Sequence, residues 1–146
     1  MYVLDTNVIS ELRKAKTGKL DGNVKKWAES VPPSSLFLSS ITILELELGI
    51  LLKERKDIQQ GQLLRTWLNQ HVLPTFLNQI LDIDTAVAQC CAALHVPNPR
   101  PQRDALIAAT AIVHSMTLVT RNISDFTSTG VTLLNPWENP CDKKIT

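Results

Sequence analysis

A chain of 146 residues makes one ordinary domain, long enough to bury about two thirds of its unfolded surface without disulfides or a structural metal. Its 44% hydrophobic and 20% charged content is globular, no run nears the ~20 apolar residues of a membrane span, and a formal charge of +1 excludes binding to nucleic acid through overall basicity. The opening Met1-Tyr2-Val3-Leu4-Asp5 has neither the basic region nor the apolar core of a signal peptide, so a cytoplasmic location is expected.

In chain order, short apolar runs at Tyr2 to Leu4, Leu36 to Leu38, Gln79 to Leu81, Thr117 to Val119 and Val131 to Leu134 read as strands. Helical patterns fall near 6–14, 23–30, 41–54, 58–72, 84–95 and 103–115. Ser40 and Asp84 are placed to cap the third and fifth of these. Pro32-Pro33 closes the second helix, and Pro97-Asn98-Pro99-Arg100-Pro101 forces an extended approach to the last. This alternation predicts an α/β fold with a mostly parallel sheet covered by helices on both faces. The domain is expected to span 1–140, with 141–146 a loose tail. Cys90, Cys91 and Cys141 match no redox or zinc spacing and read as reduced thiols. His71, His95 and His114 do not cluster and carry little catalytic signal.

Chemistry points to four carboxylates. Asp5 closes the first strand just before a helix, at the carboxyl edge where open α/β sheets bind ligands. In the third helix, Glu45 shares a face with Ile41, Leu48 and Leu52, which predicts a carboxylate among buried apolar residues; Glu47 falls on a mixed stripe and reads as a surface or salt-bridge residue. A buried carboxylate needs a partner or a cation. Asp104 opens an alanine-rich helix, and Asp125 lies in the loop after the fourth strand, at the same edge as Asp5. Each alone has a bland reading, as helix N-terminal, turn or ion-paired acid. Together, oxygen donors without a His or Cys cluster specify Mg2+ or Mn2+ and hydrolysis of a phosphodiester by a metal-activated water. Asn7, Thr120 and Asn122 are placed to orient those acids or a bound water. No glycine-rich phosphate loop or nucleophile elbow is present in the sequence.

Val3-Leu4-Asp5-Thr6-Asn7-Val8-Ile9-Ser10, then Ser39-Ser40-Ile41-Thr42-Ile43-Leu44-Glu45-Leu46 with Gly49, closely resemble segments of the PIN-domain ribonucleases. Asp104-Ala105-Leu106-Ile107-Ala108-Ala109-Thr110-Ala111 and Val119-Thr120-Arg121-Asn122-Ile123-Ser124-Asp125-Phe126 extend that resemblance. The ending Gly130-Val131-Thr132-Leu133-Leu134-Asn135-Pro136-Trp137 is similar to the subgroup of VapC and FitB toxins. The resemblance implies a three-layer α/β/α sandwich around four to five mostly parallel strands. It also implies a Mg2+- or Mn2+-dependent endoribonuclease with Asp5, Glu45, Asp104 and Asp125 at the catalytic positions. Metal would be held by Asp5, Asp104 and Asp125, with Asp5 and Asp104 holding it most directly. The partners implied are RNA, a VapB-like antitoxin that occludes the site, a second copy of the chain, and operator DNA reached through the antitoxin.

The sequence departs from the family in its approach to Asp104, where Pro99-Arg100-Pro101-Gln102-Arg103 is richer in proline and charge than the usual glycine-containing segment. Candidate RNA contacts are Arg13, Lys14 and Lys16 in a basic loop, with Arg103 and Arg121 beside the acids. Two rivals belong to other classes. One is an inactive PIN module that binds a protein partner; the other is an aspartyl-phosphate enzyme, whose Asp-x-Asp pattern is replaced here by Asp5-Thr6-Asn7.

Overall fold

The structure, a computed structural model, describes residues 1–138; the expected tail and Cys141 lie outside the described residues. Five strands form one sheet: β1 (Tyr2–Leu4), β2 (Leu36–Ser39), β3 (Ile80–Leu81), β4 (Thr117–Val119) and β5 (Leu133–Leu134). Their order is β3-β2-β1-β4-β5, and every pairing is parallel. The order reverses at β1, the central strand, so the chain leaves it at the switch point of the sheet.

Alternation along each strand sorts the core into two layers. Leu4, Leu38 and Val119 face a cluster with α1 (Thr6–Leu12) and α3 (Ser40–Lys56), joined by Trp27 of α2 (Gly22–Ser30). Val3 and Leu118 point the other way, onto Ile107, Ala108 and Ala111 of the seventh helix. That helix, Gln102–Val113, packs in turn against Thr85–Leu94, with Ala105 and Ala109 fully buried against Val87 and Cys91. Small side chains let backbone layers approach closely, which accounts for the alanine-rich sequence beside the sheet. This is the expected three-layer α/β/α sandwich.

Differences from the sequence reading are local. Ser39, not Ser40, caps α3: its hydroxyl accepts from Ile41 N at 3.1 Å. Asp84 caps Thr85–Leu94 as expected, accepting from Val87 N at 2.9 Å. The single helix expected over 58–72 is divided into α4 (Ile58–Trp67), a wider π turn Leu68–Val72 and α5 (Leu73–Thr75), which turns Leu68 and Val72 into the core. After α5 come α6 (Thr85–Leu94) and α7 (Gln102–Val113). Cys90 and Cys91 are free thiols. Among the described residues no helix is long and apolar enough to cross a membrane.

Candidate active site

Asp5 follows β1 directly, and its amide donates to Val119 O at 2.9 Å, so the β1–β4 ladder runs up to the carboxylate. The residue is 7% exposed. Oδ1 accepts from Thr6 N and Oδ2 from Thr120 Oγ1, each at 2.8 Å. Thr120 Oγ1 also accepts from Asn122 N at 3.0 Å and Asn7 Nδ2 at 3.4 Å. Asn7 Oδ1 in turn accepts from Arg121 N at 3.5 Å. The polar residues singled out beside the acids thus converge on one hydroxyl. Asn122 contributes through its backbone, not its side chain.

Glu45 reaches the same edge from α3. Thr6 Oγ1 donates to Glu45 Oε1 at 2.8 Å and lies 3.3 Å from Thr42 Oγ1. Arg103 stands 3.8 Å from Glu45 Oε2. The face on which Glu45 lies is buried only at Ile41: Leu48 and Leu52 are 41% and 55% exposed, and the buried stripe runs instead along Thr42, Leu46 and Ile50. Glu45 is therefore a half-buried residue at the boundary of the core. Glu47 pairs with Arg65, which also holds Glu54 at 3.1 Å, as its surface position implied.

Asp104 sits in the first turn of α7 and Asp125 at the end of the 3-10 turn Ile123–Asp125. Burial, then the Asp104 and Glu45 charges, push the Asp5 carboxyl above its ordinary range, although bonds from Thr120 and Thr6 pull it down. Asp104 is pushed the same way by burial and by the Glu45 and Asp125 charges, with Arg103 offsetting part of the shift. Asp5, Glu45 and Asp104 are thus drawn into one electrostatic cluster. Asp125 is exposed and is linked to it through Asp104.

As the side chains stand, no group of three or more His, Cys, Asp or Glu among the described residues is gathered tightly enough to ligate one ion. Burial is the main cause of the raised Asp5 and Asp104 carboxyls, and the neighbouring carboxylate charges add a repulsion to it. A donor set made of carboxylate oxygens suits a hard divalent cation, whose charge would relieve it.

The PIN domain model matches residues 2–130. The chain belongs to the PIN-domain family. It is similar to the VapC ribonuclease Y4jK of Sinorhizobium fredii, at 35% identity over 146 residues, covering 94% of this chain and 99% of that protein. It is also 35% identical over 146 residues to the toxin FitB of Neisseria gonorrhoeae, covering 95% of this chain and 100% of that protein. A structure of FitAB bound to an IR36 DNA fragment matches with a TM-score of 0.82 and 33% identity, over 95% of this chain and 97% of the other.

Within this PIN domain the basic candidates are divided. Arg13, Lys14 and Lys16 are not in an open loop but on a 3-10 continuation of α1, Arg13–Thr17. Lys14 is tied to Glu11 at 3.0 Å, and Arg13 lies over the Trp67 ring at 5.9 Å. Arg13 also lines a cavity of about 390 Å3 that includes Thr6 and Glu45. Arg121 lies over Trp137 at 5.2 Å, and Arg103 is beside Glu45. The sequence reading missed Thr6, whose hydroxyl joins Asp5's neighbourhood to Glu45; its place directly after Asp5 was the available signal.

Proposed function

We propose that this chain is an endoribonuclease, the toxin of a toxin–antitoxin pair, that uses Mg2+ or Mn2+. The observation that carries the reading is the gathering of carboxylates at the carboxyl edge of a PIN-fold sheet, where Thr6 bonds to both Asp5 and Glu45, Arg103 stands beside Glu45, and Asp104 lies within reach of the Glu45 and Asp125 charges. Relatives named as a VapC ribonuclease and as the toxin FitB support RNA as substrate and toxicity as role.

In this reading Asp5, Asp104 and Asp125 hold the cation, and Glu45 joins them as a catalytic acid. When bound, the cation supplies Lewis acidity to water and to the cleaved phosphate. The Thr120 hydroxyl and the Thr6 amide fix both oxygens of Asp5, so one cluster member is oriented before substrate arrives. Glu45, held by Thr6, or Asp125 orients the water that attacks in line, leaving a 5′-phosphate and a 3′-hydroxyl. Arg103, beside Glu45, and Arg121, which follows Thr120 in the sequence, would meet RNA phosphates as they approach the acids.

The partner is a small antitoxin, and the DNA in the FitAB structure supports operator binding by the joint assembly. An apolar cavity of about 290 Å3 between Ile9, Leu36, Trp67 and Phe76 shares Arg13 and Trp67 with the cavity at Glu45, which gives a partner polypeptide a face beside the acids. A second copy of the chain suits the exposed leucines of α3, Leu44, Leu48, Leu51 and Leu52.

Incubation of purified protein with RNA, with Mg2+ or with EDTA, tests the reading. Cleavage is expected with Mg2+ only, and Asp5→Asn or Asp104→Asn should abolish it in folded protein. Full activity of both variants, or cleavage unaffected by EDTA, would overturn the assignment. A wild-type protein that binds a partner and cuts no RNA would instead be an inactive PIN module.

A further inference from the structure

A polar cavity of about 380 Å3 opens between the proline-rich connection 96–100 and the loop that carries Asp125 and Ser128. We propose that it seats one unpaired nucleotide of the RNA substrate, with Arg100 reading the edge of its base. The proposal rests on the ribonuclease reading and extends it to sequence preference. The cavity adjoins the acidic cluster, since Asp125 forms part of its wall and Asp125 acts electrostatically on Asp104. A nucleotide lodged there is next to a phosphate presented to the acids. Its volume is in the range of small-ligand pockets, about 300–1,000 Å3.

Arg100 is held for such a task. Its Nε donates to Leu94 O at 2.8 Å, and its amide donates to His95 Nδ1 at 3.2 Å. With Nε engaged, the two terminal amino groups remain as a fork. His95 Nδ1 accepts that bond, and its Nε2 is buried without a hydrogen-bond partner among the described residues. Pro97 and Pro99 restrict the same connection, which lowers the entropy lost when a ligand orders it.

The place of the cavity beside the acids, with Asp125 in its wall, favours a nucleotide over a protein side chain. A guanidinium fork matches two adjacent acceptors, the arrangement of guanine O6 and N7, and unpaired RNA bases are read along such edges. Asn98 and Ser128 add polar groups to the same cavity. Guanine at one fixed position near the cut is therefore the expected preference.

The test uses a pool of random-sequence RNA cleaved by the 146-residue chain with Mg2+, the new ends being sequenced. Wild type should favour guanine at one position, and Arg100→Ala should reduce that preference by about 5- to 150-fold relative to the other bases. Arg100→Lys, which keeps the charge and loses the fork, should not restore it. Ser128→Tyr fills the cavity from the opposite wall and should weaken the same preference, which keeps the test decisive if Arg100→Ala fails to fold. An unchanged base preference in folded Arg100→Ala and in Ser128→Tyr overturns the subsite, as does loss of antitoxin binding without loss of base preference. Failure of the unaltered chain to cut any RNA overturns the ribonuclease reading and the subsite with it, so the two failures are distinguishable.

Discussion

Thr120 Oγ1 donates a hydrogen bond of 2.8 Å to Asp5 Oδ2 across 115 residues of sequence, in a buried setting. β1 and β4 are neighbours in the sheet, and each ends just before one of these two residues. The bond therefore follows from register, and it couples sheet pairing to the orientation of the most buried acid.

Thr120→Val keeps the shape and removes the hydroxyl. Asp5 Oδ2 then loses its donor, and the amide of Asn122 loses its acceptor. A loss of about 1–3 kcal/mol in stability is expected from the unsatisfied buried group. RNA cleavage should fall about 10- to 100-fold, in line with losses of outer-shell support. Thr120→Ser should restore most of both. Urea denaturation and single-turnover cleavage measure the two effects, and a valine variant with wild-type stability and rate would contradict the role given to Thr120.

Asp104 gives a pH signature. Its carboxyl is held above its ordinary value of 3.8 by burial and by the Glu45 and Asp125 charges. A raised folded-state value means that the proton binds more tightly in the native protein. The resulting stabilisation is complete below the unfolded value and is lost as pH rises through the folded one. At neutral pH without divalent cations the ionised carboxylate is thus destabilising, and Asp104→Asn should melt above wild type. The difference should vanish below about pH 3.8. Equal melting temperatures at pH 7 in EDTA would refute this.

The fold was legible because each strand is a compact apolar run bounded by polar or turn residues, and because helices separate the strands. Helix 58–72 was less legible, since nothing local in Leu68-Asn69-Gln70-His71-Val72 announces a π turn; packing of Leu68 and Val72 against the core decides it. Helical phase drew attention to Glu45 but misjudged its surroundings. Periodicity groups Leu48 and Leu52 with the buried Ile41, whereas the core meets α3 along Thr42, Leu46 and Ile50, a choice that only three-dimensional packing makes. Thr6 was overlooked for a similar reason: its partner lies 39 residues away, and no local pattern encodes that distance.

The α3–α4 contact holds the helix of Glu45 in place. A methyl group added at Gly61 would lie 2.5 Å from Glu54 Cγ and 2.7 Å from Glu54 Cα. The second of these is backbone and has little freedom to move aside. Gly61→Ala should therefore destabilise by about 1–3 kcal/mol through overpacking, against a gain in helix propensity of about 1 kcal/mol. Thermal melting measures the balance, and a stabilised alanine variant would mean that the two helices separate freely at this point.

Mg2+ should do to the acidic cluster what protonation does at low pH. A cation bound by the native state alone stabilises it by about 2.7 kcal/mol at a hundredfold excess over Kd. For a domain of this size that is a rise in melting temperature of roughly 5–11 °C. Asp5→Asn and Asp104→Asn each remove a charge that the cation would offset, so both should respond less than wild type at the same concentration. Titration of melting temperature with Mg2+ in the absence of RNA separates binding from catalysis. A wild-type curve that stays flat, or variants that rise in parallel with it, would place the cation elsewhere than among these acids.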